Sequence, residues 1–130
     1  TLIVHFTENE YIIEGDANIL HYVCSSLLSN AVKFSNSGSS ITISLEFSST
    51  REFIILTIQD SGIGIPESDM DFIFTQFYRG SNTAEIPGTG IGLSISKEFT
   101  DLHHGTISAQ STLHLGTTFI VEIPVTHKKI

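Results

Sequence analysis

Apolar positions recur along this chain either every second residue or at helical spacing, and the switches between the two periods outline its elements. Residues 2–6 and 11–14 are short β-rich runs separated by the polar Thr7-Glu8-Asn9-Glu10, a pattern that predicts a hairpin. Asp16 stands where an N-cap belongs, ahead of a long helix reaching about Phe34. Leu20, Val23, Cys24, Leu27, Leu28 and Ala31 fall on one arc of that helix and are expected to face a core. The polar cluster from Ser35 to Ser40 stops it. Ile41, Ile43, Leu45 and Phe47 alternate with polar residues, the mark of a strand with one buried face, whereas residues 53–58 are more continuously apolar and predict a central strand ending at Gln59-Asp60. Pro66 opens a short helix through Phe72, and residues 79–90 form a long polar loop punctuated by Gly and Pro. Ile91, Ile95, Phe99 and Leu102 lie on one face of a second amphipathic helix, closed by His103-His104-Gly105. Strands at 106–111 and 117–124 bracket a turn at Gly116. The order ββ-α-ββ-α-loop-α-ββ predicts an α+β domain in which a mixed sheet carries helices on one face.

Composition narrows this picture. The 130 residues hold 40% hydrophobic side chains and show no repeat or linker-like shift, so the chain reads as one domain, 1–130. Cys24 is the single cysteine, which excludes an internal disulfide, fits a reducing, cytoplasmic setting, and reads best as a small buried hydrophobe. The longest apolar runs fall short of the ~20 residues a membrane span requires. Fourteen acidic residues against six basic ones give a net charge of −8, which leaves no electrostatic footprint for a nucleic acid. A polyanionic ligand would have to be met by backbone N–H groups, a metal cation and one or two placed cations.

Two glycine clusters supply such groups. Asp60-Ser61-Gly62-Ile63-Gly64-Ile65-Pro66 and Gly88-Thr89-Gly90-Ile91-Gly92-Leu93 both space glycines every second residue. Neither is a dinucleotide fingerprint, because Glu67 and Ile95 occupy the positions where a third glycine is needed, and no glycine precedes a Lys-Ser/Thr pair as in a P-loop. The second cluster runs into a helix and presents unpaired N–H groups at the positive end of its dipole, a seat for phosphate. Asp60 ends an apolar strand at a glycine turn, where its carboxylate can point inward and accept from an amino group. On the long helix, Ser26, Asn30, Lys33 and Phe34 form a second stripe beside the core arc, and an amide so placed is expected to have a partner.

Taken together these segments resemble the motifs of one family. Leu27-Leu28-Ser29-Asn30-Ala31-Val32-Lys33-Phe34-Ser35 resembles the N box of sensor histidine kinases, the Asp60 cluster their G1 box, Phe74 through Gly80 their F box and the Gly88 cluster their G2 box; Leu115-Gly116-Thr117-Thr118-Phe119 is similar to their terminal strand motif. Five motifs in family order point to the catalytic and ATP-binding domain of a two-component histidine kinase, within the superfamily that includes gyrase, the Hsp90 chaperone and MutL. The resemblance implies a Bergerat-type two-layer sandwich that binds ATP with Mg²⁺. It implies that Asn30 holds the Mg²⁺, that Lys33 touches the phosphates, and that Phe34 lies against the adenine. Asp60 would accept the adenine amino group with support from Thr118, and Gly62 and Gly64 would make room for base and ribose. Gly88, Gly90 and Gly92 would form a phosphate-facing hinge, Arg79 would meet the γ-phosphate, and Ile65, Tyr78, Thr89, Ile91 and Leu93 would complete the nucleotide contacts. Residues 79–90 would then be an ATP lid, with Phe74, Phe77 and Tyr78 packed at its base.

One position departs from the family. Four residues before Asn30, where gyrases and the chaperones carry a general-base Glu and histidine kinases usually Asn, this chain has Ser26, a poor base at neutral pH. The family reaction moves the ATP γ-phosphoryl to a histidine on a separate dimeric helical domain and then to an aspartate of a response regulator. None of the six histidines here is followed by the acidic-then-apolar pattern of the acceptor; His103-His104 reads as a helix end where a cation or dipole partner is favourable. The expectation is therefore a monomeric domain excised from a larger, homodimeric and membrane-anchored or cytoplasmic kinase whose acceptor and sensor lie upstream. A catalytically weak nucleotide-binding module, and a gyrase- or chaperone-type ATPase, are the alternatives.

Overall fold

The computed structural model describes residues 2–6, 11–12, 15–36, 38–50, 52–76 and 92–129. The strands are β1 (Leu2–Phe6), β2 (Tyr11–Ile12), β3 (Ile41–Phe47), β4 (Phe53–Asp60), β5 (Thr106–Thr112), β6 (Gly116–Pro124) and β7 (Thr126–Lys129); the helices are α1 (Ala17–Phe34) and α2 (Gly92–Leu102), with a short 3-10 helix at Glu67–Phe72. Five strands form one sheet in the order β1-β3-β4-β6-β5, with β1 parallel to β3 and every other neighbour antiparallel. The α+β arrangement read from the sequence is the one observed.

The N-terminal hairpin is not. β1 pairs with β3 while β2 pairs with β7 in a separate two-stranded sheet. Both runs have β character, but alternation cannot name a strand's partner; β1 and β3 are parallel, which requires a crossover, and α1 supplies it. Strand β7 lies beyond Pro124, where the strand pattern read from the sequence ends.

Asp16 caps α1 as expected, accepting from the amides of Asn18 and Ile19. Val23, Leu27 and Ala31, one turn apart, are buried against Ile58 of β4, Ile107 of β5 and Phe119, Val121 and Ile123 of β6. Phe74 adds an edge-on contact to Phe119, ring centroids 6.4 Å apart. Cys24 is exposed, against expectation: the buried stripe of α1 is narrower than the apolar arc, and Cys24 falls outside it.

The buried stripe of α2 also differs from the one its hydrophobicity suggests. Ser96 and Thr100 are fully buried, while Leu102 is 66% exposed and Ile91 lies outside the described residues. Gly92, Ser96, Thr100 and His103 form the row facing α1. A Cβ at Gly92 would lie 2.8 Å from Ser26 Oγ, and Tyr22 stacks edge-on against Phe99. Small side chains in this row let the helices approach closely, and the bulky Ile95 and Phe99 flank the contact. His103 closes it: Nε2 accepts from the amide of Asp16 at 3.0 Å and Nδ1 donates to the Phe99 carbonyl at 2.8 Å. The ring thus links the end of α2 to the start of α1 and gives the carbonyl end of α2 the hydrogen-bonded partner expected there. Thr100 donates to the Ser96 carbonyl, but Ser96 Oγ has no partner among the described residues. Since an unsatisfied buried hydroxyl is unfavourable, Ser96→Ala is expected to stabilise the domain by about 1 kcal/mol, read as a higher urea midpoint at unchanged slope. A lower midpoint would mean that the hydroxyl has a partner.

Candidate functional site

The sheet register builds the site. Asp60, the last residue of β4, is opposite Thr117 of β6, and Thr117 is opposite Ser111 of β5. The next rows are Ile58, Phe119 and Ala109, then Leu56, Val121 and Ile107, so the polar row continues the helix-covered core face at its open end. Asp60 is only 6% exposed. Its Oδ1 accepts from the backbone N–H of Gly62 at 2.9 Å and of Thr117 at 3.3 Å, while Oδ2 takes no hydrogen bond among the described residues. Burial pushes the Asp60 carboxyl above the usual aspartate range, and the two amides offset part of that rise.

The loop after β4 is fastened on two sides. Toward α1, Ile63 N–H donates to the Phe34 carbonyl at 3.0 Å and Asn36 Nδ2 donates to the Ser61 carbonyl at 3.2 Å. Toward the β5–β6 turn, His114 N–H donates to the Ile63 carbonyl at 2.8 Å and Ile65 N–H donates to Ser111 Oγ at 2.8 Å. These bonds set the last turn of α1, which carries Asn30, Lys33 and Phe34, beside the loop that holds Asp60. Asn30 is half-buried and Lys33 exposed. The partner expected for the Asn30 amide is not found among the described side chains, which leaves its oxygen available to a ligand.

The glycines of this loop also have a structural use. A Cβ at Gly62 would collide with the Phe34 carbonyl, and one at Gly64 would collide with the Thr112 carbonyl and lie 2.8 Å from Leu113 Cα. On the side where a Cβ would stand, both glycines meet protein backbone, so their lack of a side chain seats the loop against α1 and the β5–β6 turn. Gly64 also has φ of +72°. Ile65 and Leu93 are half-buried against the core, and Gly92 lies over Ser26. Tyr78, Arg79, Gly88, Thr89, Gly90 and Ile91, and with them the lid at 79–90, lie outside the described residues, as does Phe77.

Thr118 requires a correction. It faces away from Asp60, in the row with Gln59 and Gln110, and the residue that supports Asp60 is Thr117. A one-residue slip on a strand changes the face. The signal was present in the sequence: Phe119, Val121 and Ile123 define the inward phase, and Thr117 shares it. Ser111, which joins the loop to this row, belongs to none of the sequence motifs.

Chemically, the site offers a buried acceptor at its floor and an amide oxygen on a neighbouring helix turn. A flat ligand with an amino group on its edge would satisfy Oδ2. No three His, Cys, Asp or Glu side chains among the described residues could hold a metal ion together. A hard divalent cation at Asn30 would take its remaining oxygens from outside these side chains, for which phosphates are suited.

Comparison with known proteins places the chain among relatives of one family. The family described as "Histidine kinase-, DNA gyrase B-, and HSP90-like ATPase" matches residues 15–127. The sensor histidine kinase WalK of Bacillus subtilis is 34% identical over 119 residues, a match covering 90% of this chain and 20% of WalK. The chain thus spans about a fifth of that relative's length. Among solved structures, the mycobacterial sensor histidine kinase MprB superposes with a TM-score of 0.84 at 26% identity, over 95% of this chain and 84% of that one. The nucleotide-free catalytic domain of the histidine kinase ThkA gives 0.77 at 30% identity, over 95% and 80%. Among the described residues, no helix is long and apolar enough to cross a membrane.

Proposed function

Because the chain belongs to the family of histidine kinase-, DNA gyrase B- and HSP90-like ATPases, we propose that it is the ATP-binding catalytic domain of a sensor histidine kinase. In this reading it positions ATP so that a histidine nitrogen on a separate dimerisation domain attacks the γ-phosphorus. The bond from that phosphorus to the bridging oxygen breaks, ADP leaves, and the phosphoryl group then passes to an aspartate of a response regulator.

The observation that carries the proposal is the Asp60 carboxylate, buried and held by two backbone N–H groups through one oxygen while the other has no partner among the described residues. Such an acceptor pairs with the exocyclic amino group of adenine and opposes the carbonyl oxygen that guanine presents in its place. Phe34, beside Gly62, offers an aromatic face to the base, and Lys33 offers a cation to the phosphates. When bound, Mg²⁺ would neutralise charge on the phosphates; Asn30 supplies a hard oxygen of the type it takes.

Ser26 favours a second reading. It stands against Gly92 at the start of α2 and offers no carboxylate or amide near the phosphate end, which suits a domain that binds nucleotide and transfers phosphate slowly. Two measurements decide. Titration should give tighter binding of ATP than of GTP, and Mg²⁺ should strengthen ATP binding in the parent sequence but not in Asn30→Ala. With the histidine-bearing domain of the same kinase supplied, phosphate should appear on it, about tenfold more slowly for Asn30→Ala, as expected for losing one charge-assisted contact of about 1.5–3 kcal/mol. ATP binding with no transfer would leave the binding module as the correct reading; absence of ATP binding would remove both.

A further inference from the structure

The carbonyl, hydroxyl and amide groups around Ser111 have a definite donor order. Ser111 Oγ lies 2.8 Å from the Gly116 carbonyl, 2.9 Å from Thr117 Oγ1 and 2.8 Å from the amide nitrogen of Ile65. The carbonyl can only accept and the amide can only donate. The single hydrogen of Ser111 must therefore go to Gly116, because any other choice leaves two lone-pair-bearing oxygens facing each other at 2.8 Å. Ser111 Oγ then accepts from Ile65 and has one further lone pair, which Thr117 meets by donating its own hydrogen. Thr117 Oγ1 is left with lone pairs only.

Thr117 is directly opposite Asp60 in the sheet, on the same face, and its backbone N–H holds Asp60 Oδ1. We propose that Ser111 is a specificity-determining positioning residue: by taking the Thr117 hydrogen, it makes the Thr117 hydroxyl an acceptor on the same sheet face as the Asp60 carboxylate, so that this face offers acceptors only and selects a ligand edge bearing an amino group over one bearing a carbonyl. The inference rests on the adenine reading given above and adds a residue outside the family motifs. A lone carboxylate beside a free hydroxyl would discriminate less well, because a rotatable O–H can turn and donate to a carbonyl. Ser111 removes that freedom, and through Ile65 it also ties the orientation to the seat of the Asp60 loop.

The test is the ratio of ATP to GTP affinity, measured by calorimetric titration with Mg²⁺ on the parent sequence, Ser111→Ala, Thr117→Val and the double variant, each checked for cooperative thermal unfolding. Ser111→Ala frees the Thr117 hydrogen, so the ratio should fall about tenfold, through weaker ATP binding together with unchanged or stronger GTP binding. Thr117→Val removes the hydroxyl, and adding Ser111→Ala to it should leave the ratio unmoved, since nothing remains to orient. A purely structural role would lower both affinities together and keep the ratio. A folded Ser111→Ala protein with the parent's ratio overturns the proposal while the adenine reading stands. A parent sequence that does not prefer ATP overturns the adenine reading and this inference with it.

Discussion

Asp60→Asn is expected to weaken ATP binding at least tenfold while the domain stays folded. Asparagine is nearly the same shape, and its carbonyl oxygen can accept from Gly62 and Thr117 as Oδ1 does. The second oxygen, however, becomes an NH₂ group, so two donors face each other where the adenine amino group would sit. Losing one charge-assisted hydrogen bond and leaving a buried donor unpaired amounts to about 1.5–3 kcal/mol, or a factor of ten to a hundred in Kd. Stability should move the other way. Burial raises the Asp60 pKa in the folded state, so between its unfolded and folded values the native protein binds more protons than the unfolded chain. Stability then declines as pH rises through that window, and at neutral pH the penalty of the buried charge is fully present. The neutral amide carries no such penalty, and the Asp60→Asn protein should melt at or above the parent's temperature at neutral pH, with the difference shrinking on acidification. The raised pKa also means that ATP affinity in the parent should fall on acidification at a higher pH than an ordinary aspartate would dictate. Calorimetric titration and thermal melts across pH measure both effects; unchanged ATP affinity in Asp60→Asn would refute the assignment of the floor.

Gly64→Ala should act in the opposite order, with stability lost first. At φ of +72° an L side chain is already strained, and here its Cβ would run into the Thr112 carbonyl and lie 2.8 Å from Leu113 Cα, backbone atoms that have no rotamer to change. Relief requires the loop to lift from the β5–β6 turn. That movement breaks the bonds from His114 to the Ile63 carbonyl and from Ile65 to Ser111, and with them the seat of Asp60. Strain and lost contacts together should destabilise the domain by about 3 kcal/mol, a fall of about 10 °C in Tm. ATP binding, measured well below the melting temperature, should weaken as a consequence. A parent-like Tm would mean that the loop is not seated on this turn. Paired with Asp60→Asn, this variant separates a group that touches the ligand from one that only holds the site in place.

The two variants also mark how far the site was legible. Asp60 stands out in the sequence as a carboxylate at the end of an apolar strand followed by glycines, and Asn30 as an amide bordering the core stripe of a well-patterned helix. The same glycines carry a structural demand that spacing alone does not name. Spacing shows that something must approach closely, but not that the Phe34 and Thr112 backbone is among what approaches. Thr118 was chosen where Thr117 belonged because a motif match has no face, whereas a strand does.

Local pattern, then, is sufficient for the α1 cap, the strand β3, the central strand β4 and the α+β class, because these depend on contacts within a few residues or on one element meeting a generic apolar interior. Pairing needed the fold: β1 with β3, β2 with β7, and the small-residue row of α2 on α1 join segments far apart in sequence, and hydrophobicity is the same whichever partner is chosen. The donor order around Ser111 is the sharpest case. Four groups from three segments fix where one hydrogen points, and that direction exists only once the β5–β6 turn and the loop after β4 have been brought within hydrogen-bonding distance.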